Sequence, residues 1–575
     1  VERLAAISAL RRWALASELL ASAPEGARAA ARATARLLVR TSDADWHAWR
    51  AAGFPSQWDA ATRARLRAWD ESHGRTALDA LLLRIPPGVW ELLRVPGLGP
   101  RRARELWRSG GLVTVQQVRR AARRDQLARL PGFGPRLQES LLAAIEADRR
   151  RQAHWLRAEA LAAADRRESE FGATRGLLRL ARAGGLRRGD ETVAQLIWVA
   201  ATDDPPTLLA RWASQGGEID PSGDGQEVRF EPEEGPPERW IAVTPERFAA
   251  RLFLETGTRA HVAALLARLD PPLAGQETSA SAPARRPAGG WLPATETQIY
   301  RRAGCRFVPP ELREGNDELA AACADRLPEL IEPDDLQGVF HVHTRWSDGR
   351  ATIPELVAAA RRLGWQYIGI ADHSRAAFYA RGLDADALAR QAAEIAACQR
   401  ENPDMRIFHG VECDILPDGR LDLDARTLSR LDYVIVSVHS LTWMDRAAMT
   451  ARITRALAHP CALILAHPSG RLLLEREALD LDWEALFTAA ARHGTLLEFN
   501  TTPARLDLDW RLMRAATARG IRFVINPDAH RLEMLEQVRP AVATARKGWL
   551  RAEQVLNTAG TEQVEAFLRE RTCRS

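Results

Sequence analysis

Hydrophobic and polar positions follow three different rhythms along the 575-residue chain. Over residues 1–80, and again over 81–150, short amphipathic stretches rich in Ala, Leu and Arg predict helices, the first group a small helical bundle. Between 170 and 262 the pattern changes: Leu196-Ile197-Trp198-Val199 and Trp240-Ile241-Ala242-Val243 read as strands with helix between them. Residues 270–290, DPPLAGQETSASAPARRPAGG, bury little and read as a flexible linker. From about 330 onward, seven short apolar runs recur: GVFHVH, YIGIADH, RIFHGVE, YVIVSVH, ALILAH, TLLEFN and RFVINPDAH. Ala-, Leu- and Arg-rich helical stretches separate most of them. Runs of this kind are strands buried on both faces, and their alternation with helices predicts a parallel α/β barrel.

Six of the seven runs end in His, Glu or Asp. In parallel barrels the chemistry sits at the C-terminal strand ends, so these polar residues share one rim. The set is His341, His343, His373, Glu412, His439, His467, Asp528 and His530, with Asp348 in the loop after the first strand. Residues two apart on a strand, such as His341 and His343, point the same way. A single strand-end histidine is more often a hydrogen-bonded structural residue, but nine ligand-type side chains in register call for metal. Imidazole suits zinc or manganese, and carboxylate suits harder cations. Nine ligands exceed the needs of one ion, so two or three divalent ions are expected, able to activate water and clamp a phosphoryl displacement. His409, His459 and His493 read as structural, His409 being ambiguous because it lies three residues before Glu412.

Composition adds bounds. Hydrophobic residues are 46% and charged residues 27%, ordinary for a globular protein, and the length predicts roughly three to five domains. No apolar run is long enough to span a membrane, and the opening VERLAAISALRRWALASELL lacks the pattern of a signal peptide. Lysine plus arginine total 80, yet Lys547 is the only lysine. Residues 1–150 hold 26 arginines against 15 acids while the whole chain is only +5, so the basic front is where nucleic acid is expected to bind. The six cysteines form no CxxC pair, which predicts neither a disulfide framework nor a zinc-thiolate site and makes a reducing cytoplasm the default.

A duplicated pattern lies in the basic front. Val95-Pro96-Gly97-Leu98-Gly99-Pro100-Arg101 recurs 35 residues later as Leu130-Pro131-Gly132-Phe133-Gly134-Pro135-Arg136. Glycine allows the turn a positive φ, and amides at the following helix start can face a phosphate. Candidate DNA contacts are Gly97, Gly99, Arg101, Arg102, Gly132, Gly134 and Arg136; an αα-hairpin with glycine caps and no ligand is the plainer alternative.

The segments HVHTRWSDG, IGIADHS, GVECDI, VSVHS, AHPSGR, LEFNTTPARLDL and PDAH resemble the PHP (polymerase and histidinol phosphatase) superfamily. FVPPELREG, LPELIE and the GWL and VLNT segments near the C-terminus resemble, more narrowly, bacterial family X DNA polymerases that carry a C-terminal PHP domain. The resemblance spans nearly the whole chain. It implies a multidomain fold: an all-α 8-kDa-like domain at 1–80, a helix–hairpin–helix region at 81–150, an α+β nucleotidyltransferase-like palm at 151–269, a linker and reduced thumb at 270–330, and a distorted (β/α)7 PHP barrel at 331–575. It implies two or three metal ions, manganese first with zinc or iron as alternatives, and 3′–5′ exonuclease activity. Pro527 departs from the family pattern, which has Thr before the aspartate. Asp372 is a candidate to orient an imidazole. Arg471 is a candidate to meet substrate phosphate, or else a surface arginine, and Arg375 and Arg505 are weaker versions of the same idea.

The palm departs from the family. The Arg187-Arg188 and Glu191-Thr192-Val193 landmarks put Gln195 and Ile197 where the family has two metal-binding aspartates. Counting back from Pro245-Glu246-Arg247-Phe248 puts Arg239 at the third carboxylate, or Glu238 after a one-residue slip. Glutamine is a poor ligand, isoleucine none, and arginine repels a cation, so polymerase chemistry is expected to be lost. Glu255-Thr256-Gly257-Thr258-Arg259-Ala260-His261 still resembles the nucleotide-binding segment. No lysine is available in the N-terminal domain for Schiff-base chemistry. The expectation is a cytoplasmic, monomeric DNA-repair nuclease with no membrane association. The alternatives are an active polymerase with unusual ligands, a PHP phosphatase acting on small phosphomonoesters, and a non-catalytic DNA scaffold.

Overall fold

The computed structural model describes residues 2–21, 25–39, 84–93, 95–220, 227–232, 235–270, Leu273 and 291–571, with scattered positions between 46 and 82. Most of the 270–290 linker, much of the 1–80 bundle and Cys573 lie outside the described residues. The chain divides into two compact units, Val1–Gln152 and Ala153–Ser575. Among the described residues no helix is long and apolar enough to cross a membrane.

The first unit contains helices α1 (Glu2–Leu19), α2 (Glu25–Val39), α3 (Pro87–Leu92), α4 (Pro100–Arg108), α5 (Val115–Arg123) and α6 (Pro135–Ala153). Proline at the start of α4 and α6 costs no hydrogen bond, because first-turn amides have no helical acceptor. The two sequence copies fold into the same hairpin. Gly97 and Gly132 have φ of 85° and 79°, the Leu98 and Phe133 amides donate to Val95 and Leu130, and Ala103 and Gln138 begin the next helices by donating to Gly99 and Gly134. Leu98 and Phe133 are buried at the two tips, within one core that includes Leu92, Leu106, Val118 and Leu141.

Besides a two-stranded pair of Trp155–Leu156 with Thr192–Val193, the second unit holds two larger sheets among the described residues. The palm sheet contains β1 (Arg179–Arg182), β2 (Leu196–Ala201), β3 (Glu218–Ile219), β4 (Glu227–Phe230) and β5 (Glu238–Val243), in the order β1-β2-β5-β4-β3. Only β2 and β5 run parallel, with Ile197 paired to Arg239. On one face Trp198 stacks on Trp240 with centroids 4.2 Å apart.

The barrel sheet contains β6 (Gly338–Val339), β7 (Tyr367–Ile370), β8 (Arg406–Asp414), β9 (Tyr433–Ser437), β10 (Ile464–Leu465), β11 (Leu496–Asn500) and β12 (Phe523–Asn526). All seven are parallel and adjacent in chain order, and a bridge between Val342 and Ala529 joins the first strand's extension to the last. Every strand carries one of the apolar runs read from the sequence, and nearly all their residues are buried, as expected for a sheet covered on both faces. The (β/α)7 barrel is therefore as the resemblance implied.

Residues 291–330 are packed rather than loose. Ile299, Tyr300, Val308 and Leu312 share a core with Phe253 and Leu265. The expectation of no disulfides is corrected here: Cys305 and Cys323 are bonded, with Cα atoms 3.9 Å apart, and Cys461 is also disulfide-bonded. Eighteen residues separate the first pair, a spacing with no motif to announce it.

Candidate metal centre

The C-terminal rim of the barrel brings all nine predicted ligands together. Glu412, at the end of β8 and 1% exposed, is the hub. Its Oε1 lies 3.3 Å from His439 Nε2 and 3.1 Å from His467 Nε2. Its Oε2 lies 3.5 Å from His341 Nε2, 3.6 Å from His343 Nε2 and 2.7 Å from His373 Nδ1. Asp528 Oδ1 is 3.1 Å from His343 Nε2 and 3.5 Å from His341 Nε2, and Asp348 Oδ1 is 3.3 Å from His530 Nε2 and 3.7 Å from His373 Nε2. Three overlapping groups have ligand atoms within 4.8 Å of one another: His343, Asp348, His373 and His530; His341, His343 and Asp528; and His373, Glu412 and His439.

The donor set fits divalent cations. His341 Nε2, His343 Nδ1, His373 Nδ1 and Glu412 Oε2 are buried without a hydrogen-bond partner, although buried polar atoms are almost always satisfied. Their lone pairs are the ones metal ions would take. The backbone is unusual here too: His467 and Asp528 have φ of 29° and 50°, uncommon for residues other than glycine.

Several partners that orient the ligands carried no signal in the sequence. Glu498, in the middle of β11, places Oε1 2.8 Å from His341 Nδ1 and accepts the His467 amide at 2.8 Å on Oε2. Asp414 Oδ1 lies 3.1 Å from His439 Nδ1. Such carboxylates fix the ring and make the metal-facing nitrogen more basic. Asp372, expected to orient an imidazole, instead organises the loop between His343 and Asp348. Its carboxylate accepts from the Thr344 amide (2.8 Å), the Thr344 hydroxyl (2.6 Å), the Ser347 amide and hydroxyl, and Gln391 Nε2 (2.6 Å). His409 lies outside the cluster, 3.1 Å from Gln391 Oε1.

Arg471 is placed neither against the cluster nor on the surface. The chain turns over at Gly470 (φ 60°), and the buried guanidinium donates to the Arg505 carbonyl (3.0 Å), Asp509 (2.9 Å), the Leu506 carbonyl and Glu191 of the palm. Arg375 pairs with Asp422 at 3.3 Å. Of the three candidate arginines only Arg505 approaches the ligands, with Nε 3.9 Å from Asp528 Oδ2.

Electrostatics in the metal-free cluster favour protons where ions would sit. Burial opposes charge on His341, but Asp528, Glu498 and Glu412 outweigh it and hold the imidazole well above its ordinary range. By the same balance His439, beside Glu412 and Asp414, rises to about 10, and His530, beside Asp348 and Asp528, rises to about 9. His343 goes the other way, to about 4, through burial and the neighbouring His373 and His530. Because ligation needs neutral imidazole, cation uptake at pH 7 must expel the protons of the raised histidines. Titrating the metal-free protein with Mn²⁺ in weak buffer is therefore expected to acidify the solution; saturation with no proton release would contradict this ligand set.

In the palm, Ile197 and Arg239 sit side by side on β2 and β5, and Gln195 and Arg239 line a pocket of about 220 Å³ with Arg229, Glu231, Pro237 and Glu238. Arg239 donates to Glu227 at 2.6 Å and Glu255 at 3.2 Å. Glu238 is buried and bonded by Arg167 (2.8 Å) and the Trp240 indole (3.0 Å), so a register slip supplies no ligand. Arg187 pairs with Glu296, and Arg188 with Asp190 and Glu314. In the nucleotide-segment likeness, His261 is buried between Glu318 (2.6 Å) and the Tyr300 hydroxyl (2.7 Å). In the first unit, Gly99, Arg101, Arg102 and Gly132 line one open cleft of about 540 Å³, while Gly134 and Arg136 are exposed.

Residues 340–473 match the PHP domain model, and residues 91–147 match the SAM-like helix-hairpin-helix tandem. Over 506 residues the chain is 34% identical to the DNA polymerase/3′-5′ exonuclease PolX of Bacillus subtilis, which covers 87% of this chain and 88% of that protein. The C-terminal part alone is similar to shorter proteins. A probable phosphatase of Caldicellulosiruptor saccharolyticus is 26% identical over 211 residues, 33% of this chain and 78% of that one; another from Syntrophotalea carbinolica is 28% identical over 174 residues, 28% and 65%. Identity sustained over 87% of this chain and 88% of its relative, a seven-stranded PHP barrel and tandem hairpins ahead of it together place this chain in the bacterial DNA polymerase/3′-5′ exonuclease PolX family.

Proposed function

We propose that this chain is a manganese-dependent 3′–5′ exodeoxyribonuclease with a palm that no longer polymerises, acting as a cytoplasmic monomer in DNA repair. The observation that carries the reading is the clustering of nine ligand-type side chains, five of them imidazoles facing Glu412, with four buried polar atoms that lack a hydrogen-bond partner. Bound divalent cations supply Lewis-acid polarisation of a phosphodiester and a lowered pKa for attacking water. The chain's own contribution is geometric: Glu498 and Asp414 hold His341 and His439 in orientation, and Asp372 fixes the loop that delivers Asp348. Arg505, in place of Arg471, is the cation set to meet the scissile phosphate. The tandem hairpins grip DNA backbone at ends or gaps without reading sequence. Loss of polymerase chemistry is supported by Arg239, whose guanidinium neutralises Glu227 and Glu255 where the family uses a metal-binding carboxylate.

Likeness to probable phosphatases favours a second reading, hydrolysis of small phosphomonoesters by the barrel. One experiment separates the two. With Mn²⁺, a 3′-labelled single strand is expected to release labelled mononucleotide at once, while a 5′-labelled strand yields a descending ladder; small phosphomonoesters turn over poorly. His341→Ala is expected to abolish digestion. A variant that digests DNA as fast as the parent would remove the metal centre from the mechanism.

A further inference from the structure

The large hydrophobic side chains most exposed among the described residues are all aromatic: Phe378 (84%), Trp443 (78%) and Tyr379 (62%). Exposed aromatic side chains in groups mark binding surfaces, because leaving them in water costs stability that burial would recover. All three lie on the ligand rim. Phe378 and Tyr379 are in the loop that follows His373, and Trp443 is in the loop that follows His439. Those two histidines have ring centroids 5.1 Å apart, and the Tyr379 ring is 6.4 Å from His373.

Both loops are built to hold their tips in place. The first closes on itself: Ser374 bridges Leu383, and the Leu383 amide donates to His373 at 2.7 Å. A side chain at Gly382 would collide with the Ser374 carbonyl, so the crossing needs glycine. Asp422 holds its outward arm through the Ala376 amide (2.7 Å), and Arg381, in left-handed conformation, donates to the Ser347 carbonyl. The second loop is fastened by buried Arg452, which donates to the carbonyls of Ser440 (2.8 Å), Leu416 (3.0 Å) and Ile415. Neither brace involves the aromatic rings, which the braced loops leave exposed.

We infer that Phe378, Tyr379 and Trp443 form a base-stacking platform for the unpaired terminal nucleotides of a polynucleotide whose phosphodiester lies at the metal centre. Every base has a π-face, so stacking on aromatics tolerates any sequence. The occupant is a single strand rather than a duplex, because only unpaired bases expose their faces to side chains. The cationic Arg505 and the metal cluster take the backbone, and the rings take the bases. The inference rests on the phosphodiesterase reading above and extends it to substrate selection.

The test compares an oligothymidylate with a strand of equal length whose three terminal nucleotides lack bases. The parent, loaded with Mn²⁺, is expected to show a KM for the abasic strand at least about tenfold higher. In the double variant Phe378→Ala/Tyr379→Ala, and in Trp443→Ala, the ratio of the two KM values should fall toward one. Tyr379→Phe keeps the ring and should keep the ratio; Leu178→Ala, an exposed leucine in the palm, serves as a surface control. Manganese content equal to the parent's verifies that the variants retain the cluster. If the parent cleaves both strands with equal KM, or if the alanine variants preserve its discrimination, the platform is wrong while the nuclease reading stands, and the patch is left for a protein partner. If the parent cleaves neither strand, the phosphodiesterase reading fails and takes the platform with it.

Discussion

Glu412→Gln is expected to lower phosphodiester hydrolysis by more than the ~10–100-fold typical of losing a partner that merely orients a metal ligand. The residue faces five imidazoles at once, at 2.7–3.6 Å; it belongs to one of the three ligand-atom groups and contacts the other two through His341, His343 and His373. Glutamine has nearly the same shape but carries no charge, and its amide nitrogen cannot ligate a cation. The loss should appear in metal stoichiometry measured by mass spectrometry, as fewer ions per chain, as well as in rate. Glu498→Gln is the graded comparison: it leaves all nine ligands in place and should cost only ~10–100-fold in metal affinity. A Glu412→Gln protein with full metal content and parental activity would require a different hub.

The second large effect concerns stability. Arg471→Ala is expected to destabilise the second unit by about 3–5 kcal/mol, the range for breaking a buried ion pair by removing one partner. The arginine is 8% exposed and binds two carboxylates and two carbonyls. Its removal leaves Glu191, 9% exposed, with only Arg511 at 3.4 Å. Chemical denaturation followed by tryptophan fluorescence should show a lower midpoint for the variant. A Glu191→Gln variant and the double mutant complete a cycle whose coupling measures the contact between the palm region and the barrel. Arg471 follows His467 by four residues, so the same variants should also bind metal more weakly. Lys547, the chain's single lysine, ties the same two regions by donating to Asp190 at 2.7 Å and to Glu314. These contacts give residues 151–269 a structural task whatever chemistry they carry.

The clustering of the nine side chains was legible in the sequence because barrel chemistry collects at one end of every strand, so the His or Glu that ends six of the seven apolar runs faces the same rim. The hairpins were legible for a similar reason: a glycine with positive φ leaves a fixed trace in a PGxG repeat. Glu498 was hidden because TLLEFN reads as one more buried strand, and the pairing that makes its carboxylate tolerable is His341, 157 residues away. Arg471 was misplaced for the same cause. Its position beside a ligand motif suggested substrate, while its true partner, Glu191, is 280 residues earlier in the chain. Asp372 was the right residue with the wrong target, since alternation along the strand turns it away from the side chain of His373. The expectation of a degenerate palm rests on single residues, Gln195, Ile197 and Arg239. The Glu227 and Glu255 pairs on Arg239 needed the sheet register.

The most direct test of a nuclease without a polymerase uses one recessed primer–template with a 5′-labelled primer, all four deoxynucleotides and Mn²⁺. The primer is expected never to lengthen and to shorten one nucleotide at a time as its 3′ end frays into single strand, while His341→Ala leaves it at its original length. A primer that lengthens, with extension lost on changing palm residues such as Glu227 or Glu255, would contradict this expectation.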